Sequence, residues 1–517
     1  MAKGIMYVDN IRVEFDDEPT IMDVCRKAGV EMPNFCFHSD LSVYGACRMC
    51  MVEDLDTGKI DAACTTKPKN GMRIRTNTSR LLKYRRMILE LMLASHCRDC
   101  TACEKNRSCR LQEMAVRFGI HHVHFKDTRE HVPMDFSSPA VTFDLNKCIL
   151  CGDCVRVCKE VQGMSILHFA GRGPGLHIEA GDDQPISTTH CVSCGQCAAV
   201  CTTGAITVND QIGTAWAAIH DPKKRVVVQI APAVRVAIGE AYGLPAGENV
   251  LDKLVTALKI MGADEIYDTI FGADLTVREE SKEFLRRLET GENLPLMTSC
   301  CPSWVRYVEQ ERPQFIKNLS SALSPMQMFA TVLKDKYREK DAADGRTTFH
   351  IAIMPCTAKK MEAGREEFRR DGVPNVDLVL TTQEVIIREA GIQLGEMELE
   401  SPDLPFGLGS GAAAIYGVTG GVAEAVLRCC LPDKSKNVLR MLEHSGLRGT
   451  EAVRFVTIPV NGRDVRVALA HGLANAAKLL DQIENGEVEV DLVEVMSCRT
   501  GCVGGAGQPR GLTPQKQ

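Results

Sequence analysis

At 517 residues the chain is long enough for three or four domains and at least one large core. A formal net charge of −6 gives no electrostatic footprint for nucleic acid or an anionic membrane surface. No stretch approaches the ~20 apolar residues of a membrane helix. The N-terminus "MAKGIMYVDNIRVEF" has neither an apolar secretory core nor a twin arginine, so the sequence reads as soluble and cytoplasmic.

Cysteine is the compositional outlier. Of 24 cysteines, seventeen precede residue 202, most at two-residue gaps. Clustered cysteines in a reducing compartment point to metal rather than disulfides.

Residues 1–78 begin with two short β-rich runs and a helix capped by Thr20 with Asp23 in its first turn, the order of a β-grasp ferredoxin. Cys36, Cys47, Cys50 and Cys64 follow, one isolated cysteine, a C-x2-C and a distant fourth, which suits a 2Fe–2S site. A structural zinc also accepts four thiolates and is the alternative. Residues 79–120 start with a helical pattern whose apolar set is Leu81, Leu82, Ile88, Leu89, Leu91 and Met92, with Arg80, Lys83, Arg85 and Arg86 as a solvated basic face. The helix leads into His96, Cys100, Cys103 and Cys109, where the imidazole stands one helical turn before a C-x2-C and can take a corner of a 4Fe–4S cluster; Cys97 breaks the spacing.

Residues 138–210 hold an internal repeat. "CILCGDCVRVC" places Cys148, Cys151, Cys154 and Cys158; "CVSCGQCAAVC" places Cys191, Cys194, Cys197 and Cys201. Both carry the spacing of a ferredoxin-like, α+β two-cluster module, in which each fourth cysteine serves the other cluster. From residue 222 to about 510 short β runs ("KRVVVQIAP", "TTFHIAIMP", "VRFVTIPV", "VRVALAHG") alternate with helical stretches, an α/β pattern with parallel sheets in two lobes.

Three segments carry the chemistry of this rear domain: "TSCCPSW", "MPCTAKKMEA" and "EVMSCRTGCVGGAGQP". By spacing they supply Cys300 or Cys301, then Cys356, Cys498 and Cys502, enough thiolates for a buried cubane. Glu280 and Glu283 lie three apart on one helical face with Arg287 a turn further on, which taken alone reads as the solvated face of a charged helix.

In order and separation the three segments resemble the signature motifs of the FeFe-hydrogenases, and the front half resembles the multi-cluster members of that family. The resemblance implies reversible production and oxidation of H2 at an H-cluster: a 4Fe–4S part held by Cys301, Cys356, Cys498 and Cys502, with Cys502 also bridging to a 2Fe subsite carrying CO, cyanide and azadithiolate. It implies one 2Fe–2S and three accessory 4Fe–4S clusters as the electron relay. It places Lys359 on a cyanide, Met354 and Met496 beside the diiron site, Ala231 and Pro232 on its wall, and Cys300, Glu280, Glu283 and Ser320 on the proton path. Cys300 then keeps its proton as a donor while Cys301 is a ligand. Departures are Ala233 where the family often has serine, Leu323 and Met326 where it often has lysine and glutamine, Ala506 at the third glycine of "GGAGQP", and a short tail, "RGLTPQKQ". The implied partners are ferredoxin and/or NAD(P)-linked flavin and iron–sulfur subunits, maturation proteins, and a separate small subunit completing the C-terminus. No dinucleotide fingerprint is present, since "GLGSGAAAIYG" lacks the required strand–turn–helix context, and "GVTGGVAEA" is expected to pack against the H-cluster. The competing readings are a non-catalytic electron-transfer subunit similar to the large iron–sulfur subunit of respiratory complex I, and an H2 sensor or assembly protein.

Overall fold

Asp9 and Asn10 both take positive φ (49° and 74°), which lets a two-residue turn close the hairpin of Gly4–Val8 and Ile11–Phe15. The computed structural model describes residues 3–127, 131–385, 389–404 and 406–509; the tail on which the expected small subunit rests lies outside them. The hairpin joins a mixed five-stranded sheet, with Gly4–Val8 pairing parallel to Arg73–Arg75. The helix Ile21–Lys27 buries Ile21, Met22, Val24 and Cys25 against it, and the Thr20 hydroxyl accepts from the Asp23 N–H at its start.

The next helix spans Ser79–Ala94, and here the expected faces need correction. Leu82 and Leu91 are exposed, at 37% and 48%, whereas Arg85 is only 3% exposed. The Arg85 guanidinium donates to the carbonyls of Met49 (2.9 Å), Thr76 (2.7 Å) and Met51 (2.6 Å), so it ties this helix to the N-terminal sheet rather than facing solvent.

The repeat forms two antiparallel strand pairs, Val141–Phe143 with Ile206–Val208 and Leu167–Ala170 with His177–Ala180. Each cysteine run turns through a left-handed glycine, Gly152 (φ 76°) or Gly195 (φ 68°), into a short helix.

Behind it stand two four-stranded sheets. In the first, Lys224–Ile230 pairs parallel with both Glu265–Asp268 and Thr347–Met354, and Leu378–Thr381 extends the sheet in parallel. The second is mixed, which corrects the expectation of parallel sheets throughout. Leu492–Met496 runs parallel to Leu296–Met297 and to Arg463–His471, but Val453–Val460 and Arg463–His471 are antiparallel. The cause is local: only Asn461 (φ 51°) and Gly462 (φ 78°) separate these two strands, a turn too short for a parallel crossover. Among the described residues no helix is long and apolar enough to cross a membrane.

Arg85→Met keeps bulk but leaves three buried carbonyls without a donor, at roughly 1–3 kcal/mol each. Limited proteolysis on a temperature ramp should then cut residues 1–78 while the rear domain stays resistant; an unchanged digestion pattern would contradict the tie.

Candidate active site

All three cysteine motifs follow strand ends. Cys300 and Cys301 come after Leu296–Met297, Cys356 after Thr347–Met354, and Cys498 after Leu492–Met496. The carboxyl ends of parallel strands are where α/β sheets open a crevice. Here strand ends from both sheets meet around one cavity of about 90 Å³. Its wall holds Cys300, Cys301, Cys356, Cys498 and Cys502 together with Ala231, Pro232, Met354, Lys359 and Met496.

Adjacent cysteines 300 and 301 have different surroundings. Cys301 is extended (φ −94°, ψ 107°) at the start of the helix Pro302–Glu311. Pro302 stands at the first helical position, where a missing N–H costs nothing, and Trp304 anchors the helix with no exposure. Backbone N–H groups of Ser497, Trp304 and Ser303 point at the Cys301 thiol. Both thiols touch the apolar group of Ala273, Val277 and Tyr416, but Cys301 also packs against the core around Trp304, whereas Cys300 lies close to Glu280. Such surface as these two thiols retain faces the cavity, and burial pushes both up, Cys300 most.

Burial first, then the charge of neighbouring thiols, also raises Cys356 to about 11 and Cys502 to about 12, and Cys498 well above the ordinary thiol range. Thiols in such a place ionise only if a cationic group compensates them, which suits iron. Among the described residues no three His, Cys, Asp or Glu side chains are placed to share one metal ion; a cluster does not require that, because each thiolate takes its own iron. Lys359 is buried beside the cavity, 2.6 Å from Glu362 and donating to the Cys300 carbonyl at 3.2 Å. Burial pulls its pKa down, but Glu362 and the thiols of Cys356 and Cys300 leave it raised, so it stays a cation. Four thiols, one fixed ammonium and two methionines on a mostly apolar wall fit an anionic iron–sulfur centre.

The acidic pair is not a solvated face. On the helix Ile270–Thr290, Glu280 is 1% and Arg287 4% exposed. Ser320 lies within hydrogen-bonding reach of Glu280 and donates to Glu283 Oε2 at 3.2 Å. Glu283 also accepts from Ser321 N–H (2.9 Å) and from Arg287 (2.6 Å). Arg287 does not line the cavity; it also donates to the carbonyls of Asn293, Asn318 and Leu319, and so holds Glu283 in place. Burial and then the Glu283 charge lift Glu280 to about 7, against the Ser320 hydrogen bond, whereas Glu283 is held low by Ser321 and Arg287 despite its own burial. Leu323 stands at the outer end of this series, in a surface pocket with Glu279, Lys282, Glu283 and Ser321, while Met326 and Ala233 line the cavity itself.

In the front half, Cys36 lies against Cys47 and Cys50 against Cys64 in one buried group. Cys100, Cys103 and Cys109 lie within electrostatic reach of one another, and the buried His96 stands just beyond the end of the helix Ser79–Ala94. Cys158 lies with Cys191, Cys194 and Cys197, while Cys201 lies with Cys148, Cys151 and Cys154.

A family model described as "Iron only hydrogenase large subunit, C-terminal domain" matches residues 224–506. The chain belongs to the iron-only hydrogenase family. Further models match residues 5–79 (2Fe-2S iron-sulfur cluster binding domain), 85–124 (NADH-ubiquinone oxidoreductase-G iron-sulfur binding region) and 140–202 (4Fe-4S dicluster domain). The chain is 36% identical to the NADP-reducing hydrogenase subunit HndD of Solidesulfovibrio fructosivorans, over 98% of this chain and 89% of that one. It is 33% identical to iron hydrogenase 1 of Clostridium pasteurianum, over 98% and 88%. A solved FeFe-hydrogenase from Chlamydomonas reinhardtii superposes with a TM-score of 0.51 at 36% identity, covering 59% of this chain and 87% of that one. The chain is thus an iron-only hydrogenase, an enzyme that interconverts protons, electrons and H2 and relays the electrons through iron–sulfur clusters.

Three residues of this hydrogenase escaped the sequence reading. Tyr416 sits on the cavity wall with its hydroxyl toward the Cys300 thiol; the adjoining Gly417 of "GVTGGVAEA" lines the cavity too. Glu494, four residues before Cys498, is fully buried and accepts from Gly420 N–H (2.6 Å) and Ala423 N–H (2.8 Å), fixing the start of the helix Gly421–Cys430. Gln196, between two cysteines of the repeat, donates to Cys498 Sγ at 3.2 Å. Ala506, the departure from the glycine-rich motif, is buried, and a Cβ added at Gly195 would lie 2.8 Å from its methyl carbon.

Glu280 carries the testable electrostatics. With its folded pKa raised, it keeps a proton that the unfolded chain has lost, so its contribution to stability is present at low pH and disappears as pH rises from about 4.5 to about 7. Infrared difference spectra of the full chain should show carboxylic C=O absorption lost as pH rises through about 7, with one component missing in Glu280→Gln while those of Glu494 and Asp153 remain. A band unchanged by the substitution would refute the assignment.

Proposed function

We propose that this chain is the catalytic subunit of a multi-cluster hydrogenase, in which Cys301, Cys356, Cys498 and Cys502 hold the cubane of an H-cluster and Cys300 hands protons to and from it. One observation carries the reading: a single, mostly apolar cavity is lined by these five cysteines together with Lys359, Met354 and Met496. The diiron subsite, with its CO, cyanide and azadithiolate ligands, supplies the metal chemistry of H2 when bound. The protein's own residues do the rest. Lys359 fixes a positive charge that would serve a cyanide of the bound group, Ala231 and Pro232 close the wall, and Met354 and Met496 give a soft, adaptable lining. Protons pass between Cys300 and solvent by way of Glu280, Ser320 and Glu283, with Arg287 positioning the last. A near-neutral carboxyl between a neutral thiol and an ionised glutamate can move a proton either way. The presence of Cys300, Glu280 and Glu283 in one connected series favours turnover over H2 sensing.

Electrons travel between the cubane and the molecular exterior through the two-cluster module, the His96-containing cluster with Cys100, Cys103 and Cys109, and the 2Fe–2S site of Cys36, Cys47, Cys50 and Cys64. The proposed acceptor is an NAD(P)-linked flavin and iron–sulfur partner or a ferredoxin. The similarity to an NADP-reducing hydrogenase subunit supports the first, and residues 407–417 offer no nucleotide cradle, their only helix being the four-residue Gly411–Ala414. So many cysteines outside disulfides suit a reducing compartment, in keeping with a cytoplasmic enzyme.

Chain purified after co-expression with the H-cluster maturation proteins should oxidise H2 with methyl viologen and leave NADP⁺ untouched until partner subunits are added. Cluster-loaded protein inert in every H2 assay would sink the proposal. Cys300→Ser should keep all clusters yet lose turnover about 10²-fold or more, the range for a missing acid–base group; Cys301→Ser should lose the H-cluster itself. Full activity in Cys300→Ser would remove it from the proton path.

A further inference from the structure

The two cysteine runs differ at one informative position. After the C-x2-C-G turn, the first run carries Asp153 and the second Gln196. Asp153 is buried and paired with Arg156, whose guanidinium donates to the Cys36 carbonyl at 2.8 Å in the N-terminal module. Gln196 occupies the matching place on the other side of the repeat and points the opposite way along the cluster series, its Nε2 reaching Cys498 Sγ at 3.2 Å. We propose that Gln196 tunes the catalytic cubane, donating an N–H···S hydrogen bond to the Cys498 thiolate that favours the reduced state of the cluster. The proposal rests on the reading of Cys498 as a cubane ligand.

Two contacts clamp the place where this bond forms. Thr357, next to Cys356, donates to the Ser193 carbonyl at 2.9 Å, and Gln162 donates to the Ser497 carbonyl at 2.9 Å, one residue before Cys498. Gly195 permits the approach: it is left-handed (φ 68°), and a Cβ there would stand 2.3 Å from Thr357 Oγ1. The amide is therefore held, not merely nearby. Adding an electron to the cubane increases negative charge on its thiolates, so a donor aimed at one of them stabilises the reduced form and raises the potential. An aspartate here, as in the first run, would set an anion against the thiolate and act the other way. No atom or proton is transferred; one electron arrives from the neighbouring cluster and is held more tightly.

The test is a potentiometric titration of the full, cluster-loaded chain followed by EPR. Gln196→Leu should shift the midpoint of the catalytic cubane to lower potential, and Gln196→Asp should lower it further. Thr357→Val, which loosens the clamp but keeps the donor, should shift it less than Gln196→Leu does. A wild-type midpoint in Gln196→Leu, or an equal shift in Thr357→Val, would overturn the proposal. Should the variants load poorly, wild-type chain labelled with ¹⁵N at glutamine side-chain amides decides: pulsed EPR of the reduced cubane should show an amide ¹⁵N coupling, and its absence refutes the bond. Failure of the underlying reading looks different, because Cys498→Ala would then retain the cubane signal.

Discussion

Everything in the rear half depends on bringing thiols from three distant segments together around one mostly apolar cavity. Each thiol is raised by burial and by its neighbours, so the apo cavity is electrostatically unfavourable for the ions it is built to hold. Lys359 and the N–H groups around Cys301 offset only part of that. The remainder must come from the metal, so binding energy and folding energy are coupled at this site. The surrounding architecture serves the same end: strand ends set the positions of the cysteines, and glycine-rich turns let backbone approach where no side chain fits. At Gly505, for example, a Cβ would fall 2.1 Å from the Pro355 carbonyl oxygen.

Seen this way, the Cys300–Cys301 pair is a consequence of one helix start. Pro302 and the buried Trp304 fix where the helix begins, which commits Cys301 to the N-terminal N–H groups. Cys300, one residue back, lies beside Tyr416 and the helix that carries Glu280. A single backbone decision therefore gives two adjacent thiols different neighbours.

Much of this was legible in the sequence because metal spacing is a local code. The cysteine runs, the Thr20 cap and the α/β alternation need no knowledge of distant contacts. What stayed hidden is what tertiary context decides. Glu280, Glu283 and Arg287 have the spacing of a surface ion-pair helix, and only the loop at Ser320 and Ser321 turns that face inward. Arg85 sits in a basic run, yet three carbonyls of an adjacent module claim it. The Asn461–Gly462 turn was readable as a hairpin, and the parallel expectation missed it because the flanking runs were weighed as α/β strands. Gln196 gave no signal, since its partner lies 302 residues away.

The exchanged fourth cysteines of the repeat have a consequence for assembly. Cys158 is grouped with the second trio and Cys201 with the first, so neither run can complete its own site. The segment between residues 159 and 190 must close before either site has four donors, which makes occupancy of the two sites mutually dependent. Before that closure each site has only the three cysteines of its own run, and after it both have four.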